Sequence, residues 1–326
     1  MVPGAFDYIL GQDQAIALLH GAITTKRIAP AYLFAAPSGV GRSLVARAFI
    51  EQLFCQGIPA DGQVSIKKRL IQGNHPDVLW VEPTYLHNGT LVTATEAVQK
   101  GIQRQAPPQI RLEQIREIAR FLSNSPLEAS RKVVVLEQAE TMAEPAANGL
   151  LKTLEEPGNA TLIVIAPSTE SLLPTLVSRC QRIPFSRLGP ETMTTVLRQT
   201  GHEQILQEPS VLAIAQGSPG EAIAAFEQLQ AMPPKLLTQL TQLPHTSRQA
   251  LELAKEIDKN LDTNTQLWLV KYLQHCYWQS HTQPDMIKKL EQARRYLLSY
   301  AQPRLVWEVT LLELSFLEES RIKDKL

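Results

Sequence analysis

The period of the apolar positions changes repeatedly along the first half of the chain and then settles. Over residues 12–28 they recur at helical spacing through Ile16, Leu19 and Ile23. Ala31-Tyr-Leu-Phe-Ala35 is a short apolar run; a glycine turn, Pro37-Ser-Gly-Val-Gly41, follows it, and residues 43–54 return to a strong helical pattern. Residues 76–81, 132–136 and 161–166 predict buried strands, the second by its β-branched content, and residues 181–185 a last short one. Helical patterns over residues 110–124, 144–154 and 171–178 lie between them, the middle one stopped by Pro157-Gly158. Residues 84–109 are polar, rich in Thr and Gln, and end in Pro107-Pro108, so they read as a long surface excursion, helical in part.

Apolar strands alternating with helices predict an α/β fold, a parallel sheet covered on both faces. After Leu188-Gly-Pro190 the strands stop. The expected organisation is an α/β domain of nucleotide-binding type over 1–187, a small helical domain over 188–230 and an all-helical domain over 231–326. Met232-Pro-Pro234 serves as the linker between the last two. Residues 251–261 and 305–317 are amphipathic helices. The apolar residues Trp268, Tyr272, Trp278, Trp307 and Leu311 exceed what a lone hairpin needs, which leaves both an internal core and a subunit interface open.

Composition narrows the partners. The 326 residues carry 32 Lys+Arg against 32 Asp+Glu, a zero net charge that argues against gripping DNA as the chain's main task. No uncharged apolar run is long enough for a membrane span, and residues 1–6 lack the features of a signal peptide. The cytoplasm is therefore the expected compartment. Cys55, Cys180 and Cys276 are too scattered for a disulfide framework or a four-ligand zinc pattern.

The strand, glycine turn and helix around residue 40 follow the order of a phosphate-binding loop, whose pattern is G-x-x-x-x-G-K-[ST]. The corresponding run is Ala36-Pro-Ser-Gly-Val-Gly-Arg-Ser43. Gly41 and Ser43 are in place, and Gly39 adds a second flexible position. Ala36 replaces the first glycine and Arg42 the lysine. A forked guanidinium keeps the charge but does not sit over a bridging phosphate oxygen as an ammonium does. Taken alone, the run also fits a plain turn between strand and helix. A second position points the same way. Hydrolysing proteins of this type end an apolar strand in Asp, which supports magnesium, followed by Glu, which polarises the attacking water. Here the strand ends in Leu136-Glu-Gln-Ala-Glu140. Glu137 still reaches towards a metal, but the Gln138 amide has no useful basicity. Glu137 and Glu140 also fit a solvated pair at a strand end.

Several motifs together carry a resemblance: Leu10-Gly-Gln12, Ala31-Tyr-Leu-Phe34 running into the loop, Asn74-His-Pro-Asp77, Ile115-Arg116, Asn148-Gly-Leu-Leu-Lys-Thr-Leu-Glu-Glu-Pro157 and Ser178-Arg-Cys180. In this order they resemble the AAA+ clamp-loader family of bacterial DNA polymerase III over residues 5–225. The damaged loop beside an intact Ser-Arg-Cys element resembles the delta-prime branch, since gamma/tau members keep the lysine and the delta branch lacks the element.

The resemblance implies a subunit that helps load a sliding clamp onto primer-template DNA, assembled with gamma/tau and delta subunits through a C-terminal helical collar, with residues 188–230 as a lid. It implies that Arg179 is an arginine finger supplied to a neighbour's ATP site; on its own, Arg179 also fits a surface arginine at a helix end. Hydrolysing relatives place an arginine after a Gly-Ser pair in the lid, where this chain has Gln216-Gly-Ser-Pro-Gly-Glu221, so Gly220 falls near that place. No cofactor is expected: any nucleotide at Gly39, Gly41, Arg42, Ser43 and Glu137 is held weakly. Family members carry four cysteines for zinc after the first loop helix, where only Cys55 and then His75 stand, so no metal is expected. The competing readings are an active gamma/tau-like ATPase and a scaffold outside replication. ATP turnover by the isolated chain separates the first, and co-purification with a gamma-type subunit and clamp the second.

Overall fold

The computed structural model describes residues 4–87, 89–93, 96–97, 107–155, 158–281, 283–299 and 301–324. It divides into two compact units, Met1–Thr192 and Met193–Leu326.

The first unit is built on five parallel strands, β1 (Ala31–Ala35), β2 (Val78–Val81), β5 (Lys132–Leu136), β6 (Ala160–Ala166) and β7 (Gln181–Pro184), in the order β2-β5-β6-β1-β7. Strand alternation decides which side chain goes where. Tyr32, Phe34, Val133, Val135, Ile163 and Ile165 enter one core, with Leu19 of α1 (Asp13–Thr24) and Phe49 of α2 (Arg42–Cys55). Leu33, Val134, Leu136, Leu162 and Val164 enter the other, with Ile115 and Ile118 of α4 (Leu112–Ser123) and Leu150 of α5 (Glu144–Glu155). Both faces are thus covered, and the three central strands are buried along almost their whole length, including Lys132 and Thr161.

Between α2 and β2 lies α3 (Ala60–Gln72), in the place where the family resemblance implies a zinc module. Only one stripe of it, Ile66 and Leu70, packs against the core. The polar excursion opens differently from the sequence expectation. Residues 84–93 form an antiparallel hairpin, β3 (Thr84–His87) with β4 (Thr90–Thr93), in which His87 pairs with Thr90. Gly89, just before β4, has φ +78°. Residues 88, 94–95 and 98–106 of that segment lie outside the described residues.

Helix α6 (Pro174–Val177) leads into β7, and α7 (Pro190–Gln199) follows. The second unit continues with α8 (Pro209–Ala215), α9 (Pro219–Ala231), α10 (Pro234–Thr241), α11 (Ser247–Asn260), α12 (Thr263–His281), α13 (Pro284–Leu298) and α14 (Pro303–Asp324). Met232-Pro-Pro234 is a corner between α9 and α10 rather than a free linker, because Met232 is buried in this unit's core. Trp307 and Leu311 are fully buried core residues, Trp268 is half-buried, and Trp278 is exposed. The buried indole N–H of Trp307 donates to Gln266 Oε1 at 2.9 Å, and Gln266 Nε2 donates to the Leu261 carbonyl at 2.9 Å. No described helix is long and apolar enough to cross a membrane.

Candidate nucleotide loop and arginine corner

The glycine turn lies at the C-terminal end of β1. Gly39 and Gly41 have φ +76° and +100°, a region that favours glycine, and Gly41 caps α2. A Cβ at Gly41 would meet nothing within 4 Å, so backbone conformation rather than space calls for glycine there. Ser43 sits in the first turn of α2 and is half-buried.

Arg42 folds back onto its own chain. Its Nη1 donates to the carbonyl of Ala166, the last residue of β6, which also accepts the Ala36 N–H at 3.1 Å. One carbonyl thus ties both ends of the loop to the sheet. Desolvation lowers the Arg42 pKa, and the carboxylates of Glu137 and then Glu140 oppose that shift. Glu137 follows β5, and its N–H donates to the Val81 carbonyl at 2.9 Å. Gln138 is exposed at φ +48°, and its carbonyl accepts from the Thr141 N–H and hydroxyl, at 2.9 and 2.7 Å. Gly39, Gly41, Arg42, Ser43 and Glu137 therefore all belong to the C-terminal end of the sheet. A cavity of about 560 Å³ borders Glu137 and Gln138 but is not lined by the glycine turn; Trp80 lines it, with the Arg47 guanidinium 4.2 Å from the ring centre.

Arg179 stands apart from this group. It lies between α6 and the start of β7, and Gln181 pairs with Tyr32 near the start of β1. The length of β1, about 16 Å for five residues, separates it from the glycine turn. Its side chain is 40% exposed, with Nη1 donating to the Thr175 carbonyl at 3.0 Å and Nη2 to Glu155 Oε1 at 3.2 Å. An ion pair this exposed contributes at most about 1 kcal/mol. Burial pushes the neighbouring Cys180 thiol up to about 11, which leaves it protonated and unreactive at neutral pH.

Three residues of the sequence motifs have structural partners that their spacing did not suggest. Gln12 is buried: Nε2 donates to the carbonyls of Val40 at 3.1 Å and Ser186 at 2.8 Å, while Oε1 accepts the Ser186 N–H at 3.1 Å. It joins the glycine turn to the segment beyond β7. Gly11 beside it has φ +74°, and a Cβ there would fall 2.4 Å from Leu188 Cδ2. Asp77 is wholly buried and accepts the N–H groups of Leu127, Glu128 and Ala129, each at 2.7 Å. Burial alone would raise this carboxyl; the three backbone bonds, with His75, hold it below its ordinary value. Glu155 is the third, through its pairing with Arg179.

Cys55 ends α2, half-buried, and His75 is buried against the Phe54 ring, 4.9 Å between centres. Among the described residues no three His, Cys, Asp or Glu side chains come together as metal ligands. Gln216 and Gly217 have positive φ and form the turn before α9, whose N-terminus Ser218 caps by accepting the Glu221 N–H at 3.3 Å.

Fold and site together define an AAA+ clamp-loader type of protein whose nucleotide loop is altered. Two family models match it: DNA polymerase III, delta subunit, over residues 11–189, and cyanobacterial DNA polymerase III delta prime, C-terminal domain, over residues 191–314. The first spans more than half of the chain, and the chain belongs to this DNA polymerase III family, on its delta-prime side. It is 31% identical over 185 residues to DNA polymerase III subunit delta' of Bacillus subtilis, covering 56% of this chain and 50% of that protein. Against the Pseudomonas aeruginosa subunit delta' it is 33% identical over 199 residues, covering 59% and 54%. The chain thus spans about half the length of these curated relatives. A gamma subunit-related protein of Thermotoga maritima has a similar fold, with a TM-score of 0.55 at 18% identity over 93% of this chain and 99% of that one.

Proposed function

We propose that this chain is a non-hydrolysing subunit of a replicative clamp loader that lends Arg179 to the ATP site of an adjacent gamma-type subunit. In this reading it assembles with gamma/tau and delta subunits in the cytoplasm and helps place a sliding clamp on primer-template DNA. Residues 188–230 act as the lid and residues 231–326 as the collar.

The observation that carries the reading is the separation of the two cations. Arg42, in the lysine position, is engaged by the Ala166 carbonyl of its own chain. Arg179 stands at the other end of β1, too far to serve that loop, and is exposed. The residues at the loop do not fit ATP turnover, because Arg42 is held away from a phosphate-clamping role and Gln138 replaces the base. A forked, permanently charged group can stabilise phosphoryl charge only at a site it reaches, and that site is a neighbour's.

The test is steady-state ATP turnover of the assembled loader, with clamp and primed DNA, carrying either the natural chain or Arg179→Ala. Slower turnover with assembly intact by gel filtration upholds the reading. Unchanged turnover and clamp loading leave Arg179 an ordinary surface residue.

A further inference from the structure

Strand β2 is one edge of the five-stranded sheet, with β5 on one side and no strand on the other among the described residues. Its bonding groups alternate between the two sides. The carbonyls of Asp77 and Val81 accept the N–H groups of Val133 and Glu137, both at 2.9 Å, so residues 77, 79 and 81 are turned towards β5. Val78, Trp80 and Glu82 are therefore turned outwards. The Val78 N–H is taken by the His75 carbonyl at 3.1 Å, and the Glu82 carbonyl by Gln114 Nε2 at 2.9 Å. Between them, the Trp80 N–H and carbonyl have no partner among the described residues.

Thr84 has the parity of Trp80, and it exchanges both backbone bonds with Gln109, at 3.0 Å each way, in an antiparallel bridge. This edge thus already receives an extended chain at Thr84. That chain does not continue along it, because Leu112 begins α4 and carries the backbone into a helix. What remains beside β2 is the cavity of about 560 Å³, lined by every residue from 78 to 82. Arg47 of α2 stands on one side of it and Glu117 of α4 on the other, the two helices covering opposite faces of the sheet. Beside the four residues of β2 there is room for an extended segment of about 13 Å. The charge around it is one-sided. Glu82, Glu117 and Glu137 line it against Arg47 alone, and Arg47 is laid over the Trp80 ring. Glu82 and Glu117 are exposed and form no ion pair among the described residues.

We propose that the outer edge of β2 receives an extended, basic segment of a partner protein as an added antiparallel strand. The residue opposite Trp80 would exchange both backbone bonds with it and lie on the same face as the indole. The residues on either side of that one would turn to the α4 face, where cationic side chains meet Glu117. Backbone bonds supply affinity in such an addition, and alternate side chains the choice of sequence. The edge makes no use of the glycine turn or of Arg179, so it stands or falls separately from the proposed function.

The full-length, isotope-labelled chain should be titrated by NMR with the peptide acetyl-Thr-Lys-Val-Lys-Thr-amide. It should bind saturably with a dissociation constant on the order of a millimolar and slow hydrogen exchange at the Trp80 amide. The same peptide with its valine N-methylated loses the strand bonds and should bind at least about tenfold more weakly. Glutamate in place of both lysines should weaken binding by a similar factor. Glu117→Lys, at an exposed helix position, should melt like the natural chain and reverse the preference between the basic and acidic peptides. Absence of saturable binding overturns the proposal, as does equal binding of the N-methylated or the acidic peptide. Unchanged exchange at Trp80, or an unaltered preference in the folded Glu117→Lys chain, overturns it as well.

Discussion

The glycine turn and the Ser178-Arg179-Cys180 corner sit at opposite ends of the same strand, and their arginines are held in opposite ways. Arg42 is half-buried and crosses to the last carbonyl of β6, so its charge works within the fold. Arg179 is exposed and retained only by a surface ion pair and one carbonyl. A cation that closes a loop within its own sheet is removed from chemistry with a ligand, whereas one parked weakly at the surface can be transferred to a partner at small cost. The contrast is between an arginine engaged within its own sheet and one held only at the surface.

The largest expected effect tests the available side. Arg179→Ala should slow turnover at the one neighbouring site by up to about a thousandfold, and turnover of the whole loader much less, since other sites keep their own arginines. Arg179→Lys should be nearly as harmful, because an ammonium keeps the charge without the fork.

Next comes a control on the scaffold that both arginines share. Asp77→Asn should cost about 3 kcal/mol by chemical denaturation, since the amide keeps one acceptor oxygen: the bonds to that oxygen lose their charge, and the N–H on the other side faces an NH2 group instead of an acceptor. It should leave the contrast between the arginines intact. The pH dependence has a definite sign. The folded carboxyl ionises below its ordinary value of 3.8. Its contribution is therefore complete above that pH and fades as pH falls through the folded value. Asp77→Asn should flatten this acid limb of the stability profile.

Smaller again is Arg42→Lys, expected to lose about 1 kcal/mol with the Ala166 bond and to gain no ATP turnover, because Gln138 remains. Turnover above background would break the comparison. Smallest is Glu155→Ala, which should change stability by no more than about 0.5 kcal/mol. In the assembled loader it should leave maximal turnover unchanged or slightly raised; a marked fall would make Glu155 a positioning residue rather than a weak restraint.

The sheet, its helices and the order of the motifs were legible because strand alternation and helical period are local properties. Lys132–Leu136 reads as a strand from five residues, and it is one. The β3–β4 hairpin does carry a local signal: Asn88-Gly89 between Leu86 and Leu91 is a short-hairpin sequence. Threonine-rich polarity outweighed it. The roles of Gln12 and Asp77 had no local signal at all. Their partners are backbone groups 28 and 174 residues away for the one and 50 to 52 for the other, and a backbone group has no sequence identity to read. Arg42 was legible as a departure from the loop pattern, but the carbonyl it reaches, 124 residues on, was not. Residues 305–317 read as amphipathic, yet α14, like α12, has apolar positions on several sides, so period alone does not sort its core from its surface: Leu305, Val309 and Phe316 are exposed beside buried Trp307 and Leu311. Trp307 is buried and Trp278 exposed.

The bond from Arg42 to Ala166 also bears on the history of the loop. On the proposed reading, an arginine that stands in the lysine position and finds an internal acceptor gives a non-hydrolysing loop a structural use. Reversion to lysine then lowers stability at once, while any catalytic gain awaits a second change at Gln138 and a third near Gly220. The first step back is thus opposed by the fold before any catalytic gain can follow, so on the proposed reading the fold itself helps to keep the loop as it is.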